Sequence, residues 1–525
     1  RVVQSHLEAK NPLSIVFAIP DHPWVDGVDG ADVRIAITVC SCQNECGVLN
    51  IVSEESKSDN SERNIQISPK IGKINSDLSV GVDFEKIVVL QANEKLCSMG
   101  VKLHGKGFIL SKEEAISLGV EQTPDLSNYI KPFVNGRDLA QKPRGVYAID
   151  FFGLSEAVVS DKFPKAYQWL LDNVKPERMV KAHTKDGAGY AKLWWIFGKP
   201  RQEMRKSLQG LNHLIATVRT AKHRTFQFLS KNIIPESKLV VISLEDPYQL
   251  GVLTSRLHVA WSFATGGWLG VGNDSTYNHS ECFNKMPFPS ANKDQKSHIR
   301  QLAEQLDTHR KQRQSEHPDL TLTGMYNVLE KLRLEEELTA KEKKIHEQGL
   351  VSILKEIHNE LDRAVFNAYG WDDLADKLVG LPGATTPLSD KPDVQAEAEE
   401  EMLKRLVDLN AQRAAEEAQG HIRWLRPEFQ APEENAQTQS KLGLPKEEKT
   451  EVAVDAKTQL PWPKELQEQI RAVREVLQKS SMDGESVNAQ FKGKSKKKVE
   501  AVHQVLSALK ELGVVNCDEN NTYSI

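Results

Sequence analysis

A basic segment set among apolar residues, 217–226, constrains this chain more than any other part of its sequence. It carries four candidate DNA-binding residues, Arg219, Lys222, His223 and Arg224. The apolar and β-branched residues around them are typical of a strand or strand edge, and alternation places Lys222 and Arg224 on one face. Such a surface suits phosphate binding and base reading, although a solvated basic edge would carry the same residues.

Glycines and aromatic residues follow this basic segment. Residues 266–274 contain four glycines, one tryptophan and Asn273, and Tyr277 comes shortly afterwards. Glycines at this density indicate tight turns or a backbone that closely approaches a ligand. We therefore expect Asn273 and Tyr277 to lie near DNA, with a purely structural turn as the equal alternative.

Composition limits the class of protein. With 525 residues the chain should form several domains, and its formal net charge of −5 requires any nucleic-acid surface to be local. Cys40, Cys42 and Cys46 cluster, but no histidine or fourth cysteine follows at zinc-finger spacing, so we expect no metal. Scattered thiols and the lack of an apolar run near ~20 residues favour a cytoplasmic protein with no membrane span. Because the sequence begins at Arg1, we also expect a fragment.

Apolar periodicity predicts a mixed α+β, multidomain fold. Strands are predicted at residues 14–19, 33–40, 78–82, 87–89, 239–244, 513–515 and 522–525. Helices are predicted at residues 112–118, 163–174, 250–261, 294–313, 331–367, 394–419, 464–478 and 495–512. The first two strands should pair as a hairpin, and the terminal helices and short strands suggest a small winged-helix-like module.

Two further basic stretches are candidate phosphate-binding sites. Lys181 belongs to a loop that also carries Arg178, and residues 492–498 contain five lysines, among them Lys496 and Lys497. Lysines at the start of a helix oppose its dipole, which hints at an anionic partner. A solvated helix start is an equally good interpretation of the second stretch.

Several runs, spread over residues 13–430, resemble the C-terminal part of large adenine-N6 DNA methyltransferases from restriction-modification and phage-defence systems. The MmeI-like enzymes and the DISARM methyltransferase are the most similar groups. The runs are 17–24, 31–39, 151–155, 194–198, 266–274, 282–289 and 361–371. Their order along the chain, more than any single run, carries the resemblance.

The resemblance implies site-specific methylation of adenine with S-adenosylmethionine as cofactor. We find neither the glycine-rich cofactor loop nor the Asn/Asp-Pro-Pro-aromatic loop in this sequence, and in the family both lie upstream of the hairpin at 14–40. We therefore expect this chain alone to be inactive and to bind no cofactor. The resemblance also places His22 and Trp24 where they would contact the flipped base, unless Trp24 merely packs against the sheet.

The resemblance implies five consecutive parts. They are a methyltransferase remnant with its sheet-edge hairpin (1–45), a target-recognition domain (46–290, with a possible insertion at 46–105), a helical spacer (291–427), a flexible linker (428–462) and the winged-helix-like module (463–525). The expected partners are double-stranded DNA, the missing N-terminal methyltransferase half and other subunits of a defence system.

Two other functions fit parts of the sequence. A stand-alone DNA specificity subunit would usually carry two recognition domains, each followed by a long helix. A helical protein-interaction scaffold would use the charged helices within 292–420. Loss of DNA binding on removal of 106–290 would argue against the scaffold.

Overall fold

The computed structural model describes the chain in two compact units, residues 1–435 and 436–525. The described residues are 6–7, 9, 11–24, 33–43, 45–57, 63–76, 78–269, 274–388, 391–432, 462–463, 466–477, 482–492, 496–511, 515–517 and 522–524. The fold is mixed α+β, which confirms the predicted class at this level. Among these residues, no helix combines enough length and apolar character to cross a membrane.

The first sheet has four strands in the order β2-β1-β3-β4. They are β1 Ser14–Trp24, β2 Val33–Ser41, β3 Gly47–Lys57 and β4 Arg63–Gly72. The expected antiparallel pair is present, with Ile19 opposite Ile37, but two unpredicted strands extend it. One face of this sheet packs a small core around Ile15, Leu49 and Ile74. Its assignment to a methyltransferase sheet stays a prediction.

The strands predicted at 78–82 and 87–89 are wrong. Leu78 has a φ of 60°, a left-handed conformation that breaks an extended run, and Val80 makes only an isolated bridge. Ile87 follows a 3₁₀ turn, Phe84–Lys86, whose first turn is capped by the carboxylate of Asp83. Short apolar runs of this kind fit turns as well as strands.

The next region contains two four-stranded sheets, ordered β11-β9-β13-β5 and β12-β7-β8-β6, and a small sheet ordered β10-β15-β14. The strands are β5 Cys97–Met99, β6 Ile109–Leu110, β7 Ile130–Val134, β8 Tyr147–Ile149, β9 His213–Val218, β10 Thr220–Ala221, β11 Gln227–Ser230, β12 Ile234–Pro235, β13 Leu239–Ile242, β14 Gly267–Leu269 and β15 Asp274–Thr276. The helices are α1 Lys112–Ser117, α2 Gly136–Ala140, α3 Glu156–Lys162, α4 Pro164–Asn173, α5 Lys175–Val180, α6 Lys185–Lys192, α7 Gln202–Ser207, α8 Pro247–Thr254 and α9 Arg256–Thr265.

Strands β9 and β13 separate two hydrophobic cores. Leu214 and Val241 point into a core that they share with β8 and α4, whereas Ile215 and Val240 point into a second core, which is shared with later helices. Because both faces are buried, these strands are continuously apolar rather than alternating. Because β9 is packed on both faces, it fixes the position of the basic segment that follows its end.

The later helices of this unit pack directly on that second core. They are α10 Lys293–Glu316, α11 Leu322–Arg333, α12 Ala340–Gly349, α13 Val351–Tyr369, α14 Asp372–Leu378, α15 Asp393–Ala418 and α16 Pro427–Gln430. The single helix predicted at 331–367 is wrong, because the chain breaks at Glu335 and Leu350, both with positive φ. The helix predicted at 250–261 is likewise interrupted, at the extended residue Ser255.

The described residues of the C-terminal unit include three helices and a three-stranded sheet ordered β16-β18-β17. The elements are α17 Leu466–Leu477, β16 Met482–Asp483, α18 Gly484–Ala489, α19 Lys496–Glu511, β17 Asn516–Cys517 and β18 Thr522–Ser524. Val487, Phe491 and Leu506 are central to its core. The winged-helix assignment stays a prediction.

Candidate nucleic-acid interface

Arg219 sits where two sheets meet, between the end of β9 and the start of β10. Its backbone N–H donates to the carbonyl of Lys238 over 2.8 Å, and its carbonyl accepts from the N–H of Tyr277 over 2.7 Å. The side chain is exposed. A fixed backbone therefore carries a guanidinium that has no hydrogen bond or ion pair within the described part of the chain.

A first cleft of about 770 Å³ opens on one side of Arg219. Seven lysine and arginine residues contribute to its lining: Lys102, Lys106, Arg144, Arg178, Lys181, Arg219 and Lys238. Glu177, Asp186 and Glu236 are the carboxylates among the described lining residues. Positive charge therefore dominates the cleft, although the whole chain carries a net charge of −5.

Arg178 forms part of the structure beneath the first cleft rather than its free surface. It is 3% exposed and donates to the carbonyls of Leu103 over 2.8 Å and Tyr190 over 3.0 Å. Burial lowers the pKa of Arg178 to about 10, partly offset by Glu177, so it stays charged at neutral pH. The rings of His104 and Tyr190 stack above it, with centroids 4.6 Å apart.

A second cleft of about 710 Å³ lies on the other side of Arg219 and shares Arg219 and Lys238 with the first. It adds Arg137 and Lys222, and Asp274 is the carboxylate among its described lining residues. Apolar parts of the wall come from Val218, Ala221, Leu322 and Tyr326. The helix α11 thus forms a wall of the second cleft together with β9 and β10.

Lys222 and His223 are tied to that helical wall. The Nζ of Lys222 donates to Oδ1 of Asn327 over 2.7 Å, and Nε2 of His223 lies 2.9 Å from the same oxygen. Lys222 is exposed, but His223 is 7% exposed. Burial lowers the pKa of His223, and the hydrogen bond to Asn327 only partly offsets this. His223 therefore stays neutral near pH 7.

The prediction that Arg224 contacts DNA is contradicted by its burial. Arg224 is 1% exposed, and its guanidinium donates to the carbonyls of Val218 and Ser275, the latter over 2.8 Å. Burial lowers the pKa of Arg224 to about 10, so it is a buried cation that joins β9 to β15. The expected alternation fails because β10 ends at Ala221 and the chain then turns inward.

Tyr277 is also a core residue. It is 1% exposed, and its hydroxyl lies 2.9 Å from Nε2 of His258. Burial lowers the pKa of His258 to about 3, with the charge of Arg224 adding to the effect. The predicted DNA contact of Tyr277 is therefore contradicted as well, and Tyr277 instead supports Arg219 through its backbone N–H.

The other predicted residues have separate placements. Lys181 is exposed at the first cleft and pairs with Glu177 over 2.7 Å. His22 is half-buried in β1, and its buried Nδ1 has no hydrogen-bond partner among the described residues. Trp24 ends β1, but its side chain lies outside the described residues, as do Asn273 and the side chains of Lys496 and Lys497. The roles predicted for these residues stay predictions.

The sequence reasoning missed most of the cations that line the clefts: Lys102, Lys106, Arg137, Arg144 and Lys238. They are spread between residues 102 and 238 rather than clustered, so no local charge run marks them. Only topology brings them together with Arg219. Of these five, Arg144 pairs with Asp138 over 2.7 Å, whereas the side chains of the other four have no such partner in the described part.

A capping motif holds one edge of both clefts. Oδ1 of Asn135 accepts from the backbone N–H groups of Arg137 and Asp138, which starts α2. Burial disfavours the charge on Asp138, but hydrogen bonds from Arg144 and from the Asn135 backbone outweigh it and lower its pKa. The motif thus fixes Arg137 beside one cleft and Arg144 beside the other.

The pair Gly187 and Gly189 lies inside the helix α6, not in the strand-to-helix loop that a nucleotide-like cofactor requires. A Cβ on Gly187 would lie 1.9 Å from the carbonyl oxygen of Lys181, so this glycine serves packing. No group of three or more His, Cys, Asp or Glu residues that could hold a metal occurs among the described residues.

Residues 87–290, which carry most of both clefts, match the family model described as the MmeI target recognition domain. This part of the chain is therefore an MmeI-like recognition region, as the resemblance predicted. No curated protein matches the chain significantly.

The solved structures that match the chain include two restriction enzymes. The Type IIL restriction-modification enzyme MmeI, solved in complex with DNA, matches with a TM-score of 0.50 and 18% identity. The match covers 77% of this chain but only 46% of MmeI, so the chain spans less than half of that protein. The type IIG restriction endonuclease BpuSI matches with a TM-score of 0.26 and 12% identity, covering 70% of this chain and 45% of that one. The MmeI match shows a similar fold.

Proposed function

We propose that this chain recognises a target sequence in double-stranded DNA through the two basic clefts on either side of Arg219. The observation that carries the proposal is the position of these clefts. Both are built largely from the region that matches the MmeI target recognition domain, and both concentrate unpaired cations.

The charge distribution supports DNA rather than a small anion as the ligand. Nine lysine and arginine residues and four carboxylates occur among the described residues lining the two clefts. Five of the cations lack a side-chain partner in the described part: Lys102, Lys106, Arg137, Arg219 and Lys238. Free cations spread over two adjoining clefts match a row of phosphates, and each neutralised phosphate releases counterions.

We further propose that the recognition region serves a restriction-modification enzyme that methylates adenine at N6 with S-adenosylmethionine. The order of the resembling sequence runs and the likeness to MmeI support this assignment. In the proposed enzyme, the methyl-transfer residues would belong to a catalytic part that acts together with this recognition region. His22 and Trp24 of this chain would contact the flipped base in that enzyme.

Duplex-DNA binding by the full chain across a salt series tests the proposed function. We expect binding that weakens steeply with salt, because phosphate contacts dominate. Lys102→Ala/Lys238→Ala removes one exposed cation from the first cleft and one that is shared by both clefts. The slope of log K against log[salt] should then become shallower by about 2, since each lost phosphate contact contributes about 0.9.

Lys341→Ala/Lys343→Ala is the matched control. It removes the same charge from exposed positions on α12, which line neither cleft. Its salt slope should equal that of the unmodified chain. A folded chain that binds no duplex at about 50 mM salt would contradict the proposal, because electrostatic binding is strongest there. The helical scaffold would then be the better interpretation.

A further inference from the structure

We propose that Arg219 recognises a guanine in the DNA target and is a specificity-determining residue of this chain. The inference rests on the proposed function, since it requires that the clefts bind duplex DNA. It assigns the base type that one side chain reads. The argument depends on where Arg219 lies, how its backbone is held and what holds the neighbouring arginines.

Arg219 occupies the boundary between the two clefts. It lines both of them, as does Lys238, the residue whose carbonyl accepts the backbone N–H of Arg219. A duplex that lies across both clefts must pass over this boundary. A side chain at the boundary meets the middle of the contact surface, where base edges rather than flanking phosphates are within reach.

The other arginines at the clefts are not equally available. Arg178 lines the first cleft but is 3% exposed and donates to the carbonyl of Leu103. Arg224, which lines neither cleft, is 1% exposed and donates to the carbonyl of Ser275. Arg144 is held by the Asp138 carboxylate over 2.7 Å and 2.9 Å. Arg137 is exposed but lines only the second cleft. Arg219 is therefore the arginine among the described lining residues that is free, exposed and common to both clefts.

The backbone around Arg219 is preorganised for reading. Two main-chain hydrogen bonds fix the residue from both sides, and the buried guanidinium of Arg224 holds the carbonyl of the preceding Val218. A Cβ on Gly136 would lie 2.8 Å from Cγ1 of Val218, so α2 packs tightly against the end of β9. Base discrimination needs this kind of rigid support, because a loosely held donor accepts several geometries.

The chemistry of the side chain points to guanine. A guanidinium presents parallel N–H donors that match the O6 and N7 acceptors of guanine, whereas an ammonium acts as a point charge suited to phosphate. The unpaired lysines Lys102, Lys106 and Lys238 already supply point charges around Arg219. Arg219 therefore adds directional pairing to a surface that has enough phosphate-binding charge.

Selection from a randomised duplex library with the full chain at physiological salt tests this assignment. The unmodified chain should recover a sequence motif with an invariant guanine. Arg219→Lys keeps the charge but loses the paired donors, so preference for guanine at one position should fall roughly 5- to 150-fold. Preferences at the other positions and affinity for an unrelated duplex should stay within about 2-fold.

Arg363→Lys is the matched control, because it makes the same change at an exposed arginine on α13 that lines neither cleft. Its motif should equal that of the unmodified chain, and thermal unfolding should show all three proteins equally folded. An unchanged motif with Arg219→Lys, or one weakened equally at all positions, overturns the assignment while DNA recognition stands. If the unmodified folded chain recovers no motif, target recognition and the assignment to Arg219 both fail.

Discussion

Arg219 and Arg224 are the same residue type, five positions apart on one segment, yet the structure gives them opposite roles. Arg219 is exposed and its guanidinium is free, whereas Arg224 is 1% exposed and bonded to the carbonyls of Val218 and Ser275. The two residues are linked, since a guanidinium nitrogen of Arg224 also lies 3.4 Å from the Arg219 carbonyl. One arginine supports the surface that the other presents.

The difference shows that the environment, not the charge, decides what a basic residue does. Arg224 can be buried because carbonyl and hydroxyl oxygens from β9 and β15 replace its water shell. Beyond Ala221 the chain turns away from the surface, which takes His223 and Arg224 inward together. A basic segment therefore yields a binding surface only where its backbone stays at the surface.

The largest expected effect comes from removing the buried member of this pair. Arg224→Ala should lower the free energy of unfolding by about 3–5 kcal/mol, because it leaves a cavity and buried carbonyls without donors. Arg219→Ala should change it by no more than about 0.5 kcal/mol, since an exposed side chain without partners is lost. Urea unfolding of both variants measures the difference. Equal stabilities would break the comparison, because the guanidinium of Arg224 would then contribute nothing to the fold.

The sequence predicted the strand at 239–244 and most of the long helices because their apolar runs are dictated by burial. It did not predict that the side chains of Arg224 and Tyr277 are buried, because their partners lie far away in the sequence: Ser275 for Arg224, and His258 for Tyr277. A local pattern cannot report which oxygen atoms a fold will bring to a buried cation. In the sequence, the buried polar residues Arg224 and Tyr277 therefore had the same pattern as residues of a binding surface.

The strands β3 and β4 were not predicted for a different reason. Ile65, Ile67 and Ile71 recur at even spacing, so a strand signal was present in residues 63–72. Polar and charged residues around them interrupt the apolar pattern, so no strand was predicted there. The cleft cations Lys102 and Lys238 had no such signal, because each is a single basic residue whose meaning depends on a neighbouring element.

Low pH should lower the free energy of unfolding through a buried histidine of this core, His358. His358 is 2% exposed and lies 2.7 Å from the hydroxyl of Tyr326, and burial, followed by the charge of Arg333, puts its pKa well below 6.5. The unfolded chain therefore binds a proton that the folded chain rejects. Stability is full above about pH 6.5 and falls by about 1.4 kcal/mol per pH unit for this histidine as the pH decreases.

His358→Gln removes this titration and keeps a side chain that can hydrogen-bond Tyr326. Between pH 7 and pH 5 the variant should lose about 2 kcal/mol less unfolding free energy than the unmodified chain. His183, which is exposed, supplies the control substitution His183→Gln, whose pH profile should follow the unmodified chain. Identical pH profiles for all three proteins would show that folding does not lower the pKa of His358.

The smallest expected effect comes from removing Asn327, the partner of Lys222. Lys222 lies between the exposed arginine and the buried one in the sequence. Its Nζ is held by Oδ1 of Asn327, the oxygen that also lies beside Nε2 of His223. Asn327→Ala should lower the free energy of unfolding by about 1 kcal/mol, the net contribution of a typical hydrogen bond. DNA affinity should change by less than about 3-fold, because Lys222 keeps its charge and its exposed position.

Urea unfolding and DNA titration on the same preparation separate the change in stability from the change in affinity. A tenfold loss of affinity with unchanged stability would mean that Asn327 itself contacts DNA, and the surface presented by Arg219 would then extend onto α11.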